Sequence, residues 1–162
     1  MNTRIQVEHP VSELISGQDF VKLQISIAAN NKLPCNQDSI NLKGCAIECR
    51  INAEDEDYNP SPGTVSDVIF PGGPGVRVDS HLYAGYIVQH QFDSLVAKLI
   101  AWELNRSENI TKMERMLEEL MIEGIKTNKN GILEVIRNKR FLTGKVNTTF
   151  LDQLIEWSGI TL

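Results

Sequence analysis

Hydrophobic and polar residues alternate with a period of two in several short stretches, as they do in β-strands with one buried face. The clearest of these stretches is Cys45–Ala53, and Leu95–Trp102 is apolar almost throughout, with Lys98 as its one exception. Three shorter stretches show a similar pattern, namely Thr3–Glu8, 64–70 and Val76–Asp79. The pattern therefore predicts five strands, of which Leu95–Trp102 is the most buried.

Apolar residues recur every three or four positions in other parts of the chain, which predicts amphipathic helices. These helices are predicted at 18–30, 106–122, 130–139 and 148–157. Ser107 is a suitable N-cap for the second of them, and Gly124 would end it. Ser12 and Gly17 bound a shorter helical turn that follows Pro10. Together with the strands, these helices predict an α+β fold.

A polar segment running from Asn30 to Leu42 separates the first helix from the strand that begins at Cys45. It contains Pro34 and two consecutive asparagines, which are residues typical of loops. We therefore predict a domain boundary here, with one unit at 1–41 and another at 42–157.

The composition of the 162 residues narrows the possible functions. The net charge of −5, with no run of basic residues, argues against nucleic acid as a partner. No apolar stretch is long enough for a transmembrane span, and three cysteines without a CxxC pair suit a reducing cytoplasm. Cys45 and Cys49 are interpreted as small buried residues of the core face.

Two strands carry polar residues that could perform chemistry. On the first, Arg4, Gln6 and Glu8 would share one face, where a guanidinium could hold a small anion and a carboxylate could accept a proton. Alternation of this kind also suits an ordinary amphipathic strand. On the strand from Cys45, Arg50 would share a face with Glu48, and a structural ion pair between the two is the alternative interpretation.

The opening run Met-Asn-Thr-Arg-Ile-Gln-Val-Glu-His-Pro resembles the signature of the ATP-grasp biotin carboxylases in order and spacing. The resemblance implies that Glu8 deprotonates bicarbonate and that Arg4 holds it. Gln6 and the backbone of Val7 would line the same site. Asn2 matches a residue beside the magnesium–phosphate site of that family.

A second run, Glu-Cys-Arg-Ile-Asn-Ala-Glu-Asp at 48–55, is also similar to biotin carboxylases. It implies that Arg50 stabilises the deprotonated ureido group of biotin. The segment after the Pro-Gly-Gly run at 71–73 lies at the family's dimer interface, which makes Arg77 a candidate contact. Pro74 stands where that family often has an aromatic residue.

The resemblance implies an ATP-grasp domain end at 1–41, a biotin carboxylase C-terminal domain at 42–157, and carboxylation of biotin by bicarbonate with ATP and Mg²⁺ or Mn²⁺. The runs at 124–128 and 70–73 look closer to the bacterial acetyl-CoA carboxylase subunit, which acts in fatty acid synthesis, than to pyruvate carboxylase. No Ala-Met-Lys-Met motif is present, so biotin would arrive on a separate carboxyl carrier protein. Carboxyltransferase subunits and a second copy of the chain would be the other partners.

The glycine-rich loop and lysines with which ATP-grasp enzymes hold nucleotide do not occur in this sequence. We therefore expect the chain to be the C-terminal part of a longer enzyme and to be inactive alone. One alternative is a non-catalytic fragment that only packs or dimerises. Another is the corresponding part of a different acyl-CoA carboxylase, such as one for propionyl- or methylcrotonyl-CoA.

Overall fold

The computed structural model describes residues 1–151, 153 and 154. Five helices of these residues are α1 (His9–Ser16), α2 (Phe20–Ala28), α3 (Arg106–Glu119), α4 (Lys129–Arg137) and α5 (Lys139–Leu142). The strands are β1 (Cys45–Asn52), β2 (Gly63–Thr64), β3 (Asp67–Ile69), β4 (Val76–Ser80), β5 (Ile87–Val88), β6 (Leu95–Glu103) and β7 (Met121–Glu123). The mixture of helices and antiparallel strands confirms the α+β prediction. None of the helices in this part of the chain is both long and apolar enough to span a membrane.

The centre of the fold is a three-stranded antiparallel sheet in which β6 lies between β1 and β4. One face is apolar, since Cys49 pairs with Leu99 and Ile51 with Ala97 across the strands. Helix α3 packs against β1 and β6, and its residues Met113, Met116 and Leu117 are fully buried. The burial of these apolar side chains supplies most of the driving force for packing α3 on the central sheet.

The opposite face of the sheet carries the charged residues, and α1 packs over it against β1 and β6. On this face Lys98 is the cross-strand neighbour of both Arg50 and Asp79. The alternation of β1 thus places its polar residues under a helix rather than in open solvent. This arrangement creates the charged site described below.

Two small antiparallel pairs, β2–β5 and β3–β7, complete the strand pairing. Gly124 follows β7 with a φ of +92°, and a Cβ atom there would collide with the carbonyl oxygen of Thr64. Only glycine combines this backbone angle with so close an approach.

The predicted strand 64–70 is wrong in part. The segment divides between the pairs β2–β5 and β3–β7, and Ile69 is exposed while Val65 is buried.

The predicted strand at Thr3–Glu8 is wrong. The chain has no regular structure up to Gln6, turns at Val7 and Glu8, and enters α1 at His9. Among the described strands none pairs with this segment, and alternation without a hydrogen-bonded neighbour does not make a strand. Pro10 lies in the first turn of α1, where its fixed φ and missing N–H favour a helix start.

Most other predicted elements are confirmed with small shifts of their bounds, including α2, β1, β4, β6 and α4. Helix α3 is capped by the side chain of Asn105, which accepts from the N–H of Glu108, and not by Ser107. It ends at Glu119 instead of reaching Gly124, because the next residues join β3 as strand β7. The helix predicted at 148–157 falls partly outside the described residues, and the domain boundary near residue 41 stays a prediction.

A charged candidate site between helix α1 and the central sheet

Arg50 and Glu8 are brought into direct contact, although 42 residues separate them in the chain. Nη2 of Arg50 donates to Oε2 of Glu8 at 2.6 Å. The two side chains are 49% and 51% exposed, so solvent screens the pair, and such pairs contribute at most about 1 kcal/mol. An ion pair this weak can open when a ligand competes for either partner.

The backbone of the segment before Glu8 is held through two of its carbonyl oxygens. The carbonyl oxygen of Val7 accepts a hydrogen bond from Nζ of Lys98 at 2.9 Å. The carbonyl oxygen of Gln6 accepts from the backbone N–H of His9, and Nδ1 of His9 lies 2.7 Å from the same oxygen. These contacts fix the point at which the chain presents the Glu8 carboxylate to the sheet.

Arg4 lies apart from this ion pair. Its guanidinium is exposed and donates to the carbonyl oxygen of Ile5 at 3.2 Å. It lines a shallow groove against α2, together with Phe20 and Leu23. The row of Arg4, Gln6 and Glu8 side chains expected on one strand face is therefore not formed, since the segment is not a strand.

Asn2 is exposed and lies in the irregular segment that precedes α1. Within the described residues, no group of three or more His, Cys, Asp or Glu side chains could hold a metal ion. The position of Asn2 beside a magnesium–phosphate site stays a prediction.

Arg77 is engaged inside the chain. Its guanidinium donates to both carboxylate oxygens of Asp79, at 2.8 and 2.9 Å, and to Oε2 of Glu13 at 2.6 Å. These hydrogen bonds, chiefly the one to Asp79, raise the pKa of Arg77 above its ordinary value. Its side chain is 34% exposed, and a role at a dimer interface stays a prediction.

Glu48 was not among the site residues predicted from the sequence, and the structure buries it beneath α1 with only 4% of its side chain exposed. Its nearest cation is Nε of Arg50 at 3.9 Å, and neither carboxylate oxygen accepts a hydrogen bond from the described residues. Burial raises the pKa of Glu48, while the charges of Lys98 and Arg50 oppose that shift. The position of Glu48 beside Arg50 was visible in the alternation, but its burial depends on α1.

Glu13, Asp79 and Lys98 are the other members of the charged site that were not predicted from the sequence. Glu13 is buried in α1, where Oε1 also accepts from the backbone N–H of Phe20. Burial alone would raise the pKa of Asp79, but hydrogen bonds and charge from Arg77 and Lys98 lower it below its ordinary value. For Lys98 a signal existed, since it is the single charged residue in an otherwise apolar strand.

Of the two cysteines predicted to be buried core residues, Cys49 is buried and Cys45 is only half-buried. Cys49 is buried, and this burial, with a smaller contribution from Glu48, raises the pKa of its thiol to about 12. A thiol with such a pKa stays protonated and is a poor nucleophile and metal ligand. Cys45 donates weakly to the carbonyl oxygen of Glu103 at 3.7 Å.

A separate cavity of about 520 Å³ lies between the loop after β1 and helix α4. Its lining includes Tyr58, Lys126 and Glu134 but none of the predicted site residues. The shape of this cavity is thus not a guide to the Arg50–Glu8 pair. The pair is identified instead by its guanidinium and carboxylate groups.

The burial of Glu48 leads to a test. A native-state pKa above 4.5 means that the native protein keeps a proton that the unfolded chain has released, so stability is lost as pH rises from about 4.5 through the native pKa. We expect Glu48→Gln to gain stability relative to wild type as pH increases through this window. Thermal unfolding at pH 4–8 measures it, with the exposed Glu56→Gln as control. A pH-independent difference between Glu48→Gln and wild type would contradict the raised pKa.

Two family models match the chain, one on each side of residue 41. Residues 48–153 match the model of the biotin carboxylase C-terminal domain. Residues 1–36 match the model of the ATP binding domain of the carbamoyl-phosphate synthase L chain. The two matches cover both sides of the Arg50–Glu8 contact.

Among curated relatives, the chain is 48% identical to biotin carboxylase of Pseudomonas aeruginosa over 154 residues, 94% of this chain and 34% of that protein. It is 46% identical to a pyruvate carboxylase subunit of Methanothermobacter thermautotrophicus over 155 residues, 94% of this chain and 32% of that protein. The chain thus spans about a third of the length of these relatives.

Solved structures agree in fold. The biotin carboxylase domain dimer of Hydrogenobacter thermophilus 2-oxoglutarate carboxylase, in complex with MgADP, ADP and bicarbonate, superposes with a TM-score of 0.92 at 44% identity. The β-γ-ATP complex of Campylobacter jejuni biotin carboxylase superposes with a TM-score of 0.90, also at 44% identity. Each match covers 94% of this chain and 34% of the other.

Proposed function

The chain belongs to the biotin carboxylase family, and from this premise we propose that it forms the part of such an enzyme that prepares bicarbonate and receives biotin. The observation that carries the proposal is the contact between Glu8 and Arg50. It joins a carboxylate that can accept a proton to a cation that can stabilise an anion. The substrates would be ATP, bicarbonate and biotin.

In the proposed reaction, Glu8 removes the proton of bicarbonate, which is a poor nucleophile while protonated. The bicarbonate oxygen then attacks the γ-phosphate of ATP and forms carboxyphosphate, with ADP as the leaving group. Arg4 holds the bicarbonate and then the carboxyphosphate, since a guanidinium binds two oxygens at once. Its exposed side chain is free to leave the carbonyl of Ile5 for such a ligand.

Arg50 serves the second half of the reaction. Carboxyphosphate releases CO₂ and phosphate, the phosphate removes the ureido proton of biotin, and the resulting anion attacks CO₂. A fixed cation beside the ureido oxygen lowers the energy of this anion. Because the Arg50–Glu8 pair is half exposed, breaking it costs little free energy. Arg50 can therefore leave Glu8 and pair with the biotin anion.

The proposal extends to the groups that the longer enzyme would use. Mg²⁺ or Mn²⁺ would accompany ATP and neutralise its phosphates, and biotin would be attached to a separate carboxyl carrier protein. Carboxyltransferase subunits would take the carboxyl group onward to acetyl-CoA in the cytoplasm. The H. thermophilus domain is a dimer, which supports a homodimer for this chain too. In that proposed dimer, Arg77 would lie near the interface.

A different final acceptor is the second candidate. The similar proteins include a pyruvate carboxylase subunit, at 46% identity, and the biotin carboxylase domain of a 2-oxoglutarate carboxylase, at 44% identity. The proposed site would be the same in either case, because it carboxylates biotin before the acceptor is involved. Transfer from the carboxylated carrier to acetyl-CoA, pyruvate or 2-oxoglutarate distinguishes the candidates.

The proposed function is tested with the full-length protein that contains this chain. We expect ADP formation to require bicarbonate, and free biotin to acquire ¹⁴C from labelled bicarbonate. Omission of ATP, bicarbonate or biotin provides the controls. ATP hydrolysis that is indifferent to bicarbonate, with no label on biotin, would contradict the proposal.

A further inference from the structure

Lys98 occupies an unusual position for a lysine. It lies in the middle of the central strand β6, where its neighbours in sequence, Ala97 and Leu99, are buried and apolar. Its side chain is only 12% exposed, so its ammonium has given up most of its contact with water. A lysine is rarely buried to this extent unless its charge is paired and its N–H groups are hydrogen-bonded.

The partners of the Lys98 ammonium come from other segments of the chain. Nζ donates to the carbonyl oxygen of Val7 at 2.9 Å and lies 3.4 Å from Oδ2 of Asp79 on β4. The buried carboxylate of Glu48 on β1 is close enough for the charge of Lys98 to oppose the rise of its pKa. Lys98, which itself lies on β6, therefore links the irregular segment 1–8 to Asp79 on β4.

The link to Val7 bears on the proposed chemistry. Val7 directly precedes Glu8, and Arg50 is the cross-strand neighbour of Lys98 in the sheet register. The hydrogen bond from Lys98 to Val7 thus connects the backbone beside Glu8 to strand β6. Strand β6 pairs with β1, which carries Arg50. The Arg50–Glu8 ion pair cannot hold this geometry during the reaction, since its partners must separate to meet their substrates.

We propose that Lys98 is a positioning residue that holds the Val7–Glu8 backbone at a fixed distance from Arg50 throughout the reaction. This inference rests on the proposed function. In this role Lys98 acts on the proposed base through the carbonyl of Val7. A displacement of about 1 Å at a reacting group can cost on the order of 10²-fold in rate, so a single tether of this kind is sufficient to matter.

The chain offers a matched control in Lys112. Its side chain is 15% exposed, its Nζ donates to the carbonyl oxygens of Pro74 and Trp102, and it pairs with Glu103. Lys112 thus resembles Lys98 in burial and in its partners, but its contacts are with the end of β6 and the loop before β4, away from segment 1–8. Replacing either lysine by methionine nearly keeps the length of the side chain and removes the charge.

The test compares Lys98→Met, Lys98→Arg and Lys112→Met in the full-length enzyme. We expect Lys98→Met to lower kcat for bicarbonate-dependent ATP hydrolysis by about 10- to 100-fold, with the KM for ATP unchanged. Lys98→Arg should restore part of the loss, because a guanidinium can still donate to the carbonyl of Val7. Lys112→Met should keep the wild-type kcat.

Hydrogen exchange without substrates gives a readout that does not depend on catalysis. The amides of His9 and Val11, which donate to Gln6 and Glu8, should exchange faster in Lys98→Met than in Lys112→Met. Wild-type exchange and kcat in Lys98→Met would overturn the inference, as would equal losses of kcat in both methionine variants. If wild-type enzyme shows no bicarbonate-dependent turnover, the proposed function fails, whereas the exchange experiment still decides whether Lys98 tethers the segment.

Discussion

Replacing Glu8 by glutamine in the full-length enzyme should lower bicarbonate-dependent ATP hydrolysis by about 10²- to 10⁴-fold, the usual contribution of a positioned base. Glutamine is almost isosteric with glutamate, and its amide oxygen can still accept the hydrogen bond that Arg50 donates to Glu8. The substitution therefore removes the proton acceptor and disturbs the surrounding geometry little. Because nucleotide is held by other residues in the proposed enzyme, ATP affinity should not change.

The measurement is ADP formation with saturating ATP and varied bicarbonate, combined with a direct titration of nucleotide binding. Glu8→Asp is the matched control, since it keeps a carboxylate but withdraws it by one methylene group. We expect it to retain more activity than Glu8→Gln. Wild-type turnover by Glu8→Gln would exclude Glu8 as the base and leave its ion pair with Arg50 as a purely structural contact.

Local patterns predicted the regular part of this fold. The alternation in β1 depends on residues two apart, and its buried face of Cys49 and Ile51 is found in the structure. The same pattern failed at Thr3–Glu8, where it has no neighbouring strand among the described elements. Pairing between strands is a long-range property, and the sequence of one strand does not contain its partner.

Some residues of the candidate site could be predicted from local motifs, but their contacts could not, because those contacts join distant parts of the chain. The motifs selected Glu8 and Arg50 individually, but only the packing of α1 over the sheet brings them to 2.6 Å and buries Glu48. Arg4 was selected with Glu8 on the assumption of a shared strand face, and the irregular backbone instead turns it toward α2. Lys98 was conspicuous in the sequence, yet its role requires knowing that its ammonium reaches the carbonyl of Val7.

Arg50→Ala should separate the two halves of the proposed reaction. If Arg50 stabilises the biotin anion, its loss should lower carboxylation of free biotin by about 10²- to 10³-fold, as removal of one anion-stabilising group does in other enzymes. Bicarbonate-dependent ATP hydrolysis should fall much less, because carboxyphosphate forms before biotin reacts. The lost ion pair with Glu8 contributes at most about 1 kcal/mol, since both side chains are half exposed.

Arg4→Ala is the counterpart, and it should lower both activities together, because bicarbonate must be held before either product can form. The two rates are measured side by side, as ADP release and as ¹⁴C transferred to biotin, for each variant. Arg50→Lys adds a control for charge alone, since an ammonium replaces the planar guanidinium with a single point charge. Equal losses of both activities in Arg50→Ala and Arg4→Ala would refute this division of roles, because a cation that acts only on the biotin anion cannot limit the formation of carboxyphosphate.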